Sequence, residues 1–265
     1  MAFASFNNPS EVNEPRSDGE DLSTSRALGK VFLYMGLAML ITALVAIGVG
    51  ALFAGLITNW TYSFGAIEDL GSSINANSTA FTIYFASLIV SLVGILITGF
   101  AMNFIIVKGK SAWPAFILYS IFMGILMSAL LVLGVDFVTL GEAFGISAVG
   151  FGVMGLVGYF SKRDLNFLVM IGFAALIIAM LTGIVFLIVF WANPAMLNAW
   201  SIGYTILVIA LILIMVAANM CNIKRIVNQG NATKDLCVYC AYVMYTQFIS
   251  LFLRVLYLLL RLRRN

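Results

Sequence analysis

Leu236 to Leu260 reads LCVYCAYVMYTQFISLFLRVLYLLL, and the rest of the chain is organised around this stretch. A spanning helix needs roughly 20 apolar residues at about 1.5 Å of rise each, so the segment is long enough to cross a bilayer. It is also the most polar of the long apolar segments, because it carries Thr246, Gln247, Ser250 and Arg254. An amide and a guanidinium at membrane depth belong in a bundle interior or a wet cavity, not against lipid. The segment is therefore expected at the centre, with the other spans packed around it.

The composition agrees with a membrane setting. Of the 265 residues, 63% are hydrophobic and 9% charged, where a soluble domain carries about a quarter charged residues. The mean hydropathy is +1.08. This is the composition of an all-α, polytopic membrane protein rather than of a singly anchored domain. There is no histidine, which removes Ser-His-Asp and Cys-His catalysis and the HExxH zinc proteases. A net charge of +3 leaves no nucleic-acid footprint. The residues suggest no cofactor.

Six further apolar runs precede the first one quoted: Val31–Thr58, Ala80–Val107, Trp113–Leu133, Ala143–Phe160, Phe167–Trp191 and Ile202–Met220. Seven spans joined by short connections predict one helical domain over residues 30–265. Residues 1–29, rich in Asn, Ser, Pro, Glu and Asp in the first 25, lack the apolar core of a signal peptide and read as a disordered cytoplasmic tail. No convincing internal repeat is present, so an inverted-repeat transporter is not indicated.

Charge sets the orientation. Arg16, Arg26 and Lys30 lie before the first span, Lys108 and Lys110 after the second, Lys162 and Arg163 after the fourth, and Lys224, Arg225 and Lys234 after the sixth. The alternate connections carry only Glu68, Asp69, Asp136 and Glu142. The positive-inside rule then places the N-terminus in the cytoplasm. Arg261, Arg263 and Arg264 break the pattern, since they follow the last span. Either that helix crosses and the arginines snorkel to the outer headgroups, or it re-enters. The absence of Gly or Pro at which to turn back favours crossing.

Intramembrane polar groups are the best pointers to function. No Asp or Glu lies mid-span; the candidates are Asn103, Asn219, Asn222, Gln247 and Arg254. The bland reading is that each amide bonds a neighbouring helix, worth about 0.6 kcal/mol on average. For Arg254 the choices are a Tyr partner, backbone carbonyls, or snorkelling. Cys237 and Cys240 form a CxxC on one helix face, but three cysteines and no histidine do not fill a zinc site, and packing is the simpler account. Gly145, Gly150, Gly152, Gly155 and Gly158 make the fourth span glycine-rich, which reads first as close helix packing. Asn59 and Asn77 open N-x-S/T sequons that chance explains well in so polar a loop.

Several stretches together resemble one family. Ala143-Phe144 through Gly158-Tyr159-Phe160-Ser161-Lys162-Arg163-Asp164-Leu165 is similar to the fourth-helix signature of the Bax inhibitor-1 (transmembrane BAX inhibitor motif) family. Tyr34 to Ala46 resembles its opening helix, Phe116 to Gly124 its third, and Tyr245 to Leu253 its last. The resemblance runs from about residue 26 to the end. It implies six helices in two three-helix layers around a central seventh. It also implies a calcium-permeable leak controlled by pH through two aspartates near the cytoplasmic side, with effects on cell death in eukaryotic relatives and, in some bacterial ones, association with a membrane protease.

The chain departs from that pattern at the sensor. Where the family's sixth helix ends in Tyr-Asp with an isoleucine four positions later, this chain has Asn219-Met220-Cys221-Asn222-Ile223, so Asn219 takes the aspartate's place. In the last helix Gln247 takes the place of the second. Paired carboxyls share a proton and can switch near neutral pH, whereas Asn and Gln keep the hydrogen bonding and never ionise in that range. The expectation is an integral membrane protein that acts as a calcium leak or in ion homeostasis without the pH switch. Asn219 and Gln247 would hold the last two helices together, and Arg254 would be a polar group of the pathway. The alternative is a non-transporting scaffold that binds another membrane protein. An intramembrane enzyme is disfavoured because every lysine lies near a cytoplasmic boundary and no span holds a carboxylate. A bacterial plasma membrane fits the short tail and the lack of a retention signal.

Overall fold

In lipid no water is available to the backbone, so a spanning segment must satisfy its own N–H and C=O groups, and a helix does so within one segment. A computed structural model of the protein describes residues 24–58, 78–108, 111–161, 197–228 and 233–264. These form α1 (Thr24–Thr58), α2 (Ser78–Val107), α3 (Trp113–Val132), α4 (Phe137–Phe160), α5 (Leu197–Asn228) and α6 (Lys234–Arg264). There is no strand among the described residues. Each of the six helices is long and apolar enough to cross a bilayer. The protein is a multi-pass, all-α membrane protein. The expected span over Phe167–Trp191, the sequons at Asn59 and Asn77, and residues 1–23 of the expected tail lie outside the described residues.

The helices run past the apolar stretches that announce them. α1 begins at Thr24, inside the range read as a tail, because Ala27 and Leu28 are buried. α4 begins at Phe137 rather than Ala143, and its polar first turns are held by a bond to Arg263 described below. α5 continues beyond Met220 to Asn228, with Ile223 and Val227 still buried. α6 is one unbroken helix of 31 residues, about 46 Å long, and has no re-entrant turn.

The chain divides into two compact units. The first holds residues up to Asp136 and 229–242, hence α1, α2, α3 and the first turns of α6. Here α1 and α3 approach closely at Gly124, where a Cβ would lie 2.8 Å from the Thr42 carbonyl oxygen and 2.7 Å from Val45 Cβ. The Thr42 hydroxyl is shared between Ala38 O (2.9 Å) and Ser120 O (3.1 Å). The Ser128 hydroxyl donates to Ile125 O (2.6 Å), which leaves its oxygen to accept from Tyr84 Oη at 3.0 Å. Tyr242 meets Tyr119 edge to face at 5.0 Å. Asp235 Oδ1 accepts from the Ala112 N–H (3.2 Å), just before Pro114 opens α3. α3 stops at Gly134, whose φ of +74° is a left-handed conformation that glycine adopts without strain.

The second unit holds Phe137–Asn228 and Val243–Asn265, hence α4, α5 and the rest of α6. α4 and α5 touch backbone to backbone at Gly158, where any Cβ would collide with the Ala217 carbonyl. Gly150 lies in ordinary contact, its Cβ position 3.5 Å from Leu213 Cδ2. No described atom would lie within 4 Å of a Cβ on Gly145, Gly152 or Gly155, so among the described residues the close-packing role of this glycine-rich helix falls mainly on Gly158. α6 meets α4 through Phe248, whose ring is 5.3 Å from Phe144 and 5.6 Å from Phe151.

Candidate functional site

The polar groups of the second unit are the candidate site. Asn219 and Asn222 lie three residues apart on α5 and so share a face; both are 4% exposed. Their neighbours from Met215 to Met220 are all buried, so this half of α5 is enclosed on every side. The spacing that points to Asn219, an isoleucine four positions on, is met equally by Asn222 and Ile226.

Gln247 lies on α6 in the same unit. Its amide oxygen is buried and accepts no hydrogen bond, so neither asparagine donates to it. Only one other buried side-chain polar atom among the described residues lacks a partner, Ser147 Oγ on α4, and it is in this unit too. Ser147 is 1% exposed. Sequence reading passed over it, because a serine in an apolar helix resembles any small packing residue. Only the orphaned hydroxyl distinguishes it.

Arg254 is half-buried, with its guanidinium over the Tyr204 ring of α5 at 5.7 Å. Of the partners weighed for it, the aromatic one is formed, and such a contact is worth about 0.5–1 kcal/mol or more as water is excluded.

Both ends of α4 are tied down. Lys224 Nζ donates to the Tyr159 carbonyl in the last turn at 2.8 Å and sits 4.5 Å from the Tyr159 ring centroid. A cation at a helix C-terminus satisfies an orphan carbonyl and complements the helix dipole. At the other end, Arg263 donates to Thr139 Oγ1 (2.6 Å) and Glu142 Oε2 (2.7 Å). The C-terminal ends of α5 and α6 therefore lie at opposite ends of α4. For Arg263 the partner is a carboxylate of the protein, which the count of loop charges did not reveal.

The remaining candidates belong to the first unit. Asn103 donates from Nδ2 to Gly99 O (3.1 Å) and accepts from Tyr239 Oη (3.0 Å), the interhelical role expected of a satisfied amide. Cys237 and Cys240 are buried thiols at 2% and 1% exposure. No group of three or more metal-binding side chains occurs among the described residues.

Comparison with known proteins adds one match. The family model described as inhibitor of apoptosis-promoting Bax1 covers residues 24–265. No curated protein matches the chain.

Proposed function

Because the chain belongs to the Bax inhibitor-1 family over almost its whole length, we propose that it is a calcium leak or ion-homeostasis protein that has lost the family's pH switch. The observation that carries this reading is the concentration of partnerless buried oxygens, Ser147 Oγ and Gln247 Oε1, in one unit, where the other buried side-chain polar atoms among the described residues are satisfied. Polar groups held at membrane depth are costly, and those left without a protein partner are the first candidates for a pathway. In place of the two aspartates stand Gln247 and an asparagine, Asn219 or its face-mate Asn222. Neither amide ionises, so no proton can toggle the contact and no fixed negative charge concentrates a divalent cation there.

In this reading seven helices are present, with the span over Phe167–Trp191 as the fifth and α6 in the middle. The consecutive burial of Leu236 to Ala241, hence on all faces, favours the central place of α6. The N-terminus is cytoplasmic by the distribution of Lys and Arg, and the membrane is a bacterial plasma membrane. The protein is not an enzyme. Its partners are the bilayer and calcium ions.

The test is calcium flux into proteoliposomes between about pH 6 and 8, across the range where a raised carboxyl titrates. Wild type is expected to give flux that is flat with pH. Gln247→Asp combined with Asn219→Asp, and separately with Asn222→Asp, is expected to restore pH dependence in the pair that faces correctly. Steep pH dependence in the wild type that survives these changes would sink the idea. The second reading is a scaffold that binds another membrane protein, and it is favoured by the loss of both carboxylates. Folded protein without flux above empty vesicles, in wild type and variants alike, selects it.

A further inference from the structure

Ser147 stands at a junction of three helices. On α4 it lies three residues after Phe144 and four before Phe151, the two rings that meet Phe248 of α6. It also lies three residues before Gly150, which meets Leu213 of α5. Residues at such spacings share a helix face, so Ser147 points between α5 and α6 at the height of Phe248. Gln247 is the chain neighbour of Phe248, within about 1.5 Å of it along the axis. Arg254, seven residues on and therefore on nearly the same face of α6 as Gln247, stacks over Tyr204 of α5. Gln247 is thus turned towards α5 at the same height as Ser147. By this spacing both partnerless buried oxygens of the described residues fall near one level of the junction of α4, α5 and α6.

We propose that Ser147 and Gln247 form a wet step inside the second unit, a site that takes water and the hydration shell of a small cation, beside the ring of Phe248. Left dry, each oxygen would carry the full cost of an unmet hydrogen bond in a low-dielectric interior. One water donates to Gln247 Oε1, accepts from the Ser147 hydroxyl, and removes both costs. The site does not strip the ion. A bare calcium takes about six to eight oxygen ligands, and two neutral oxygens are too few. The part this step plays in permeation rests on the leak reading; its access to water does not.

Thiol accessibility tests the two separately. With Cys221, Cys237 and Cys240 changed to Ala, Ser147→Cys in vesicles is treated with the small cationic reagent aminoethyl methanethiosulfonate, and modification is followed by mass. The reagent needs a thiolate, which forms in water and not in lipid, so Ser147→Cys is expected to react at least about tenfold faster than Val149→Cys. Val149 is 67% exposed on the outer face of the same helix. Gln247→Cys is expected to behave as Ser147→Cys does and serves if the serine variant does not fold. Rates no greater than that of Val149→Cys, in folded protein, overturn the proposal. Fast modification together with absent calcium flux keeps the wet site and discards the leak.

Discussion

In the first unit the hydroxyls of Thr42, Ser91, Thr98, Ser120 and Ser128 are buried and each is bonded, mostly to a carbonyl in its own helix; in the second, Ser147 and Gln247 bury oxygens that bond nothing described. Both units solve the same problem, packing helices where lipid supplies no hydrophobic drive, and both use one glycine seated on a neighbouring backbone. They differ in what is left over. In the second unit two oxygens are met by no protein group among the described residues, and left dry each would cost about 1–3 kcal/mol. The first unit uses its buried hydroxyls in packing, and the second keeps two buried oxygens that bond no described protein group.

The sharpest blow to either unit is at its glycine. Gly158→Val places atoms into the Ala217 carbonyl and is expected to destabilise by about 1–3 kcal/mol or to prevent folding; Gly124→Val does the same to the first unit. Thermal unfolding in detergent, with Gly155→Val as a tolerated control, measures both. If Gly158→Val unfolded where Gly155→Val does, the helix contact in the second unit would have to be redrawn.

A smaller effect separates the units by their hydroxyls. Thr42→Val removes a shared bond between α1 and α3 and is expected to cost about 0.6–1.7 kcal/mol. Ser147→Ala removes a hydroxyl that bonds no described protein atom and is expected to cost less than Thr42→Val. A loss of stability at Ser147 as large as that at Thr42 would erase the contrast. The smallest effect is at the end of α4, where Arg263 and Glu142 are 47% and 45% exposed. A double-mutant cycle with Arg263→Gln and Glu142→Gln is expected to give coupling of about 0–1 kcal/mol that shrinks with added salt.

The helices were legible from runs of apolar residues because a bilayer leaves few alternatives to a long helix. Their ends were not. α4 starts six residues early because Thr139 and Glu142 are held by Arg263, 121 residues from Glu142 in the chain, and local composition carries no trace of such a bond. Polarity singles out Gln247 and Arg254; the Gln247 amide oxygen is buried and Arg254 is half-buried. It did not foresee that Gln247 Oε1 would accept no bond, and the expected clasp with Asn219 through that oxygen is not made. Ser147 was invisible for the reason that makes it interesting, since its meaning lies in a missing neighbour rather than in its own type. Lys224, which the sequence alone places in a connection, lies within α5 and works as a helix cap.

That cap has a mechanical consequence when taken with Arg263. A rod held at both ends bows more readily than it slides, and α4 is tethered to α5 at Tyr159 and to α6 at Thr139 and Glu142. Travel of α4 therefore meets least restraint in its middle, where Gly145, Gly150, Gly152 and Gly155 make the backbone easiest to bend. Ser147 rides on that stretch, so bending the rod would change the width of the junction it faces while leaving both fastenings in place.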